Sequence, residues 1–269
     1  MNRYLISKGC EQFEDRFAAL ASSITMASLY NRTLLVDWHD PFWPDASGGF
    51  YRYFSLVDLP YVSSAQEIPG ELDIYPPWWR HGRQFEVDEQ RFSLADEVSY
   101  DPREGVHREP VWVYGGFGAP CGDVRLLSTH LRLMPEVVDA LRPLLERVPE
   151  GRPVICLRVS GKRPSTLRWN QLRSIAAGAL LDTDDDSVAE RWLRENPDSQ
   201  LLSDVLGENR MPESLDQFGA TMHKLARFLI LASSPEAYAL ETTHSYFKAA
   251  RSFGDAGGAR DCRSRRHQR

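Results

Sequence analysis

Apolar positions near the start of the chain first run together and then space out. RYLIS (3–7) has an unbroken apolar run, which predicts a short strand buried on both faces. Phe13, Phe17, Leu20, Ile24 and Ala27 then recur at helical spacing, and that helix is predicted to end near Tyr30 and Asn31. RTLLVDW (32–38) reads as a second buried strand. Strand, helix and strand in so short a stretch form a βαβ unit, which predicts a parallel sheet. From 39 to 110 the periodicity is weak and Pro, Gly and aromatic residues are frequent, so loops and short elements are expected. PVWVYGG (110–116) predicts a third strand, and LRLMPEVVDALRPLLERV (131–148) a helix with Pro135 in its first turn. The turn cluster VPEGRP (148–153) is the expected domain boundary.

The alternation then restarts. VICLRV (154–159), ALLDT (179–183), QLLSD (200–204) and AYALET (237–242) read as strands. Helices are expected around 168–178, over Ser187–Glu195, from Asp216 to about Leu231 and over Ser245–Phe253. The expected fold class is α/β, with two Rossmann-like parallel-sheet domains over 1–149 and 150–254. The segment 255–269 is rich in Gly and Arg and almost free of large apolar residues, so it reads as a disordered basic tail.

Composition narrows the function classes. The formal net charge of −6 offers no broad basic surface for nucleic acid, and none is expected as a partner. Of 32 basic residues only four are Lys, at 8, 162, 224 and 248. GC-rich coding explains such a bias, and Arg forks also suit phosphate oxygens. Cys10, Cys121, Cys156 and Cys262 form no C-x-x-C pair, so reduced thiols in a cytoplasm fit better than a zinc ribbon or a disulfide scaffold. The opening residues contain no apolar signal-peptide core, and no apolar run approaches the roughly 20 residues of a membrane span.

The densest chemistry lies in ALLDTDDDSVAERW (179–192), where Asp182, Asp184, Asp185 and Asp186 stand between a predicted strand and a predicted helix. Asp182, Asp184 and Asp186 open like a calcium loop, but its sixth position is Ser187 and its twelfth is Leu193, so that reading fails. Asp182 and Asp184 as a divalent-metal D-x-D pair is a second reading. Helix capping is a third. The fourth adds the rim of a nucleotide site to the capping role, because ligands of parallel sheets bind beyond the carboxyl ends of the strands.

Other candidates are more diffuse. Gly116, Gly118 and Gly122 could bring backbone amides to a phosphate or form a plain turn. Arg158 at the end of a strand, followed by Ser160, could meet a diphosphate or be a solvated strand end. Thr243 and Ser245 precede a predicted helix and suit either an anion or an N-cap. Asp37, His39 and Asp40 lie among Trp38, Phe42 and Trp43, which fits an acceptor cleft with a base or simple aromatic packing. His223 and His244 stand alone in sequence, and no G-x-S-x-G elbow occurs.

In order along the chain, GCEQFEDRFAALASSITMASLYNRTLLVDW, ICLRVSG, LLDTDDDSVAERW and LETTHSYFKAARSFG resemble the motif blocks of the nodulation α-1,6-fucosyltransferase family, over about residues 3–254. NRTLLVDW is the most specific of them. The resemblance implies a GT-B-like pair of domains, the first on the acceptor side and the second holding GDP-fucose, with an inverting mechanism that needs neither metal nor other cofactor. It implies that Arg158 faces the β-phosphate, with Ser160, Thr243 and Ser245 near the phosphates and Asp184 and Asp185 near the nucleotide. Asp37, His39 and Asp40 are then the candidates for accepting the proton of an acceptor hydroxyl, whose identity the resemblance leaves open. Cys156 stands where that family carries histidine, and Gly9 to Arg16 lengthens its N-terminal glycine pattern. A catalytically silent binding or scaffold protein of the same fold is the alternative reading.

Overall fold

The computed structural model of the chain describes residues 2–8, 13–38, 49–75, 108–114, 125–157, 166–175, 178–208, 217–234, 236–239 and 250–251. The chain forms two compact units, Met1–Met134 and Pro135–Arg269.

In the first unit, β1 (Tyr4–Lys8), α1 (Phe13–Leu29) and β2 (Thr33–Asp37) form the expected βαβ unit. β1 and β2 pair in parallel from Tyr4↔Thr33 to Lys8↔Asp37. Every residue of β1 is buried, as a parallel strand covered on both faces requires. Phe17, Leu20, Ile24 and Ala27 of α1 are all buried, so the helical period found its core. Asn31 stops the helix in a left-handed conformation, φ 47°. Arg32 N then donates to Ala27 O at 2.8 Å and Asn31 N to Ser28 O at 3.4 Å, which completes a Schellman end.

β3 (Phe54–Leu56), β4 (Ile74–Tyr75) and β5 (Val111–Tyr114) follow. The parallel sheet runs β2-β1-β5-β4. On one face Tyr4, Ile6, Leu35, Ile74, Val111 and Val113 share a core. Elsewhere in this unit Phe17, Trp38, Phe50 and Phe54 make edge-on and stacked ring contacts. The buried Arg32 closes the amino-terminal edge by donating to the carbonyls of Tyr4, Glu109 and Pro110. Burial lowers its pKa to about 10, with Arg3 adding repulsion, so it stays charged at neutral pH.

The helix expected over 131–148 divides in two. Leu131–Leu133 is a strand, β6, antiparallel to β3, after the short helix α2 (Arg125–His130). The helix proper, α3 (Pro135–Leu145), begins at the proline, which lacks the N–H that a preceding turn would need. α3 packs against α7 (Gln217–Ser233) and so belongs to the second unit. The second compact unit therefore starts with this helix, at Pro135.

The second unit adds β7 (Val154–Cys156), α4 (Thr166–Ile175), β8 (Leu180–Asp182), α5 (Asp186–Glu195), β9 (Gln200–Leu201), α6 (Leu202–Leu206) and β10 (Ala237–Ala239). The stretch 200–204, expected as a strand, keeps only two strand residues. Leu202 and Leu206 recur at helical spacing and are both buried in α6. Its sheet is again parallel, ordered β10-β7-β8-β9. Ile155, Leu157, Leu181, Trp169, Val188 and Trp192 form the core on the face covered by α4 and α5.

Candidate functional site

β7 runs on through α4 to β8 on one side, while β10 pairs with β7 on its other side. In an open parallel sheet such as this one, ligands bind outside the carboxyl ends of the strands. At its carboxyl edge Cys156, Asp182 and Ala239 are the last residues of β7, β8 and β10. Cys156 pairs in register with both of the others.

Period two along β7 and β8 turns Cys156 and Asp182 away from the tryptophan core. The buried Cys156 Sγ donates to Asp182 Oδ2 at 3.6 Å. Arg227, from α7, donates Nη1–H to Asp182 Oδ1 at 2.6 Å and Nε–H to Glu208 Oε1 at 2.8 Å. Its Nη2 donates to Glu208 Oε2. One guanidinium thus joins the end of β8 to the segment after α6. Glu208 also lies 3.6 Å from His223 Nδ1, too long for a hydrogen bond. Burial pushes the His223 pKa below its ordinary value, against the pull of Glu208 and helped by Arg147 and Arg227.

The acidic turn resolves residue by residue. Asp185 is the N-cap of α5, its Oδ1 accepting from Ser187 N at 2.8 Å, Val188 N at 3.1 Å and Ser187 Oγ at 2.6 Å. Thr183 Oγ donates to Leu157 O at 2.8 Å and accepts from Asp185 N at 3.2 Å, which stitches the turn to the end of β7. Asp184 is exposed at the apex. Asp182 faces a guanidinium and a thiol, which sets it against the D-x-D metal reading. Among the described residues no cluster of three His, Cys, Asp or Glu side chains is arranged to hold a metal.

In the first unit Asp37 and Lys8 end β2 and β1, and Lys8 Nζ donates to Asp37 Oδ2 at 3.0 Å with both side chains buried. Arg16 of α1 is buried too and donates to Trp38 O at 3.3 Å, its guanidinium 5.9 Å from the Trp38 ring centre. The Asp37 carboxylate is therefore engaged by an ammonium. His39, Asp40, Arg158, Ser160, Thr243 and Ser245 lie outside the described residues, as do the glycines of 115–122. The structure brings together Cys156, Asp182, Arg227, Glu208 and His223, of which the sequence reading singled out Asp182, Cys156 and His223 separately and missed Arg227 and Glu208. An arginine amid the apolar run of α7 was the available signal.

No protein-family model matches the chain, and no curated protein matches it in sequence. Solved structures do. A crystal structure of NodZ α-1,6-fucosyltransferase soaked with GDP-fucose aligns with TM-score 0.64 and 18% identity, over 94% of this chain and 93% of that one. Fucosyltransferase NodZ from Bradyrhizobium aligns with TM-score 0.65 and 20% identity, over 93% of each chain. The NodZ structure co-crystallized with GDP aligns with TM-score 0.64 and 20% identity, over 93% of this chain and 92% of that one. Alignment over almost the whole of both chains at such low identity is a statement about architecture, and this chain has the α/β fold of the NodZ fucosyltransferase structures.

Proposed function

We propose that this chain is an inverting glycosyltransferase that takes a nucleotide-diphosphate sugar, GDP-fucose by the likeness above, and transfers the sugar to an acceptor hydroxyl. The observation that carries this reading is the pairing of β10 with β7. The segments that follow these two strands in sequence carry Arg158 with Ser160, and Thr243 with Ser245. The fold supports it, as do two aligned NodZ structures, one soaked with GDP-fucose and one co-crystallized with GDP.

In this reading the acceptor oxygen bonds to the anomeric carbon as the bond to the diphosphate breaks. Arg158 neutralises the charge developing on the departing diphosphate. Ser160, Thr243 and Ser245 donate to phosphate oxygens, and Asp184 and Asp185 lie at the nucleotide. The acceptor proton passes to His39 or Asp40 rather than Asp37, whose carboxylate Lys8 already engages. Isothermal titration with GDP tests the reading. Wild type is expected to bind, and Arg158→Ala to bind about tenfold more weakly or worse, the scale of a lost charge-assisted contact. Wild type that ignores millimolar GDP would overturn it.

Cys156 favours a second reading, a silent binding protein of this fold, because a buried thiol held against Asp182 stands at the position of the family histidine. Sugar transfer followed by mass spectrometry separates the two: turnover of GDP-fucose supports the enzyme, and tight GDP binding with no turnover supports the binding protein.

A further inference from the structure

Asp182 has its side chain fully buried at the carboxyl edge of β8, in register with Cys156 and two residues in sequence after Leu180 has paired with Val154. Arg158 follows Cys156 by two residues. A carboxylate fixed at this edge repels any diphosphate that binds there, and low local dielectric lengthens the reach of that repulsion. The structure puts a guanidinium on it. Arg227 divides its fork between Asp182 and Glu208, so that one cation on α7 serves two carboxylates from different elements.

We propose that Arg227 is a positioning residue for nucleotide-diphosphate binding: its charge offsets one of the two negative charges of Asp182 and Glu208, and so lowers the repulsion that a diphosphate meets at the carboxyl edge of β7 and β8. The inference rests on the functional reading above and deepens it. It concerns charge rather than shape, and charge gives it a signature. Loss of the cation weakens binding of an anionic ligand, while loss of a carboxylate does not. A clamp that merely held the fold together would weaken binding whichever partner was removed. An uncharged ligand with the same base would suffer as much as the charged one.

The test is titration of the full chain with GDP and with guanosine, with thermal unfolding of each variant alongside. Arg227→Gln is expected to weaken GDP binding about tenfold and leave guanosine binding unchanged. Glu208→Gln is expected to bind GDP as tightly as wild type or more tightly. Asp182→Asn in the Arg227→Gln background should restore GDP affinity to within about threefold of wild type. Arg227→Lys keeps the charge and loses the fork, and is expected to stay within about threefold; with Glu208→Gln it decides the matter even if Arg227→Gln does not fold. The proposal is overturned if Glu208→Gln weakens GDP binding, or if Arg227→Lys does so with guanosine retained. Equal losses for GDP and guanosine in Arg227→Gln would also sink it. Wild type that binds neither ligand overturns the functional reading and this inference together, whereas wild type that binds GDP with unchanged affinity in Arg227→Gln overturns this inference alone.

Discussion

Asp182, Asp184 and Asp185 are the same residue type within four positions and have three different surroundings. Asp185 does what its place before a helix predicts, accepting from two backbone amides of the first turn. Asp185→Ala is expected to cost about 1 kcal/mol, and Asp185→Asn much less, because the amide oxygen still caps; chemical denaturation of the two variants checks it. That cap was legible because its partners are two and three residues away. The guanidinium that meets Asp182 is 45 residues away on another helix, and nothing local in LLDTDDD distinguishes this acid from the next. Only strand alternation, counted from a register the fold supplies, turns it toward α7.

At the scale of elements, the ends of β1 and β2 are tied by the buried pair of Lys8 and Asp37. Removing one member takes a buried counter-charge from the other. Lys8→Met is expected to destabilise by about 3–5 kcal/mol, and Lys8→Met with Asp37→Leu by clearly less than either single change suggests. Urea unfolding of the two single variants and the double variant measures the coupling, and simple additivity would refute the pairing. Element boundaries were legible where local chemistry marks them, as at Asn31 after α1 and Asp185 before α5. They were not legible where tertiary pairing decides. Residues 131–133 join a strand because β3 offers an open edge, although their apolar spacing also suits a helix. Residues 202–206 coil because Leu202 and Leu206 find a core one turn apart, although QLLSD also suits a strand.

For the whole molecule, pH enters through His223. Its folded pKa lies below its ordinary 6.5 because burial disfavours the imidazolium. Below 6.5 the unfolded chain therefore binds more protons at this site than the folded one does. The stability associated with neutral His223 is complete above 6.5 and is lost as pH falls through the window between 6.5 and the lowered folded value. Replacing His223 by Gln is expected to shrink the loss of stability between neutral and mildly acid pH, read by denaturant midpoints at both; an unchanged difference would show that His223 titrates alike in both states. Thermal unfolding at neutral pH should change little, since both residues are then uncharged.

What the sequence determined by itself was local: which runs are apolar enough for buried parallel strands, which carry a helical period, and which acid caps a helix. Those follow from interactions within a few residues, so the α/β class and the βαβ start could be read directly. Only the tertiary structure decided that β10 lies beside β7, that Lys8 meets Asp37, and that Arg227 reaches Asp182 and Glu208. Neighbours distant in the chain are selected by how whole faces pack and by where buried charge finds a counter-charge, and neither is written in any single stretch of residues.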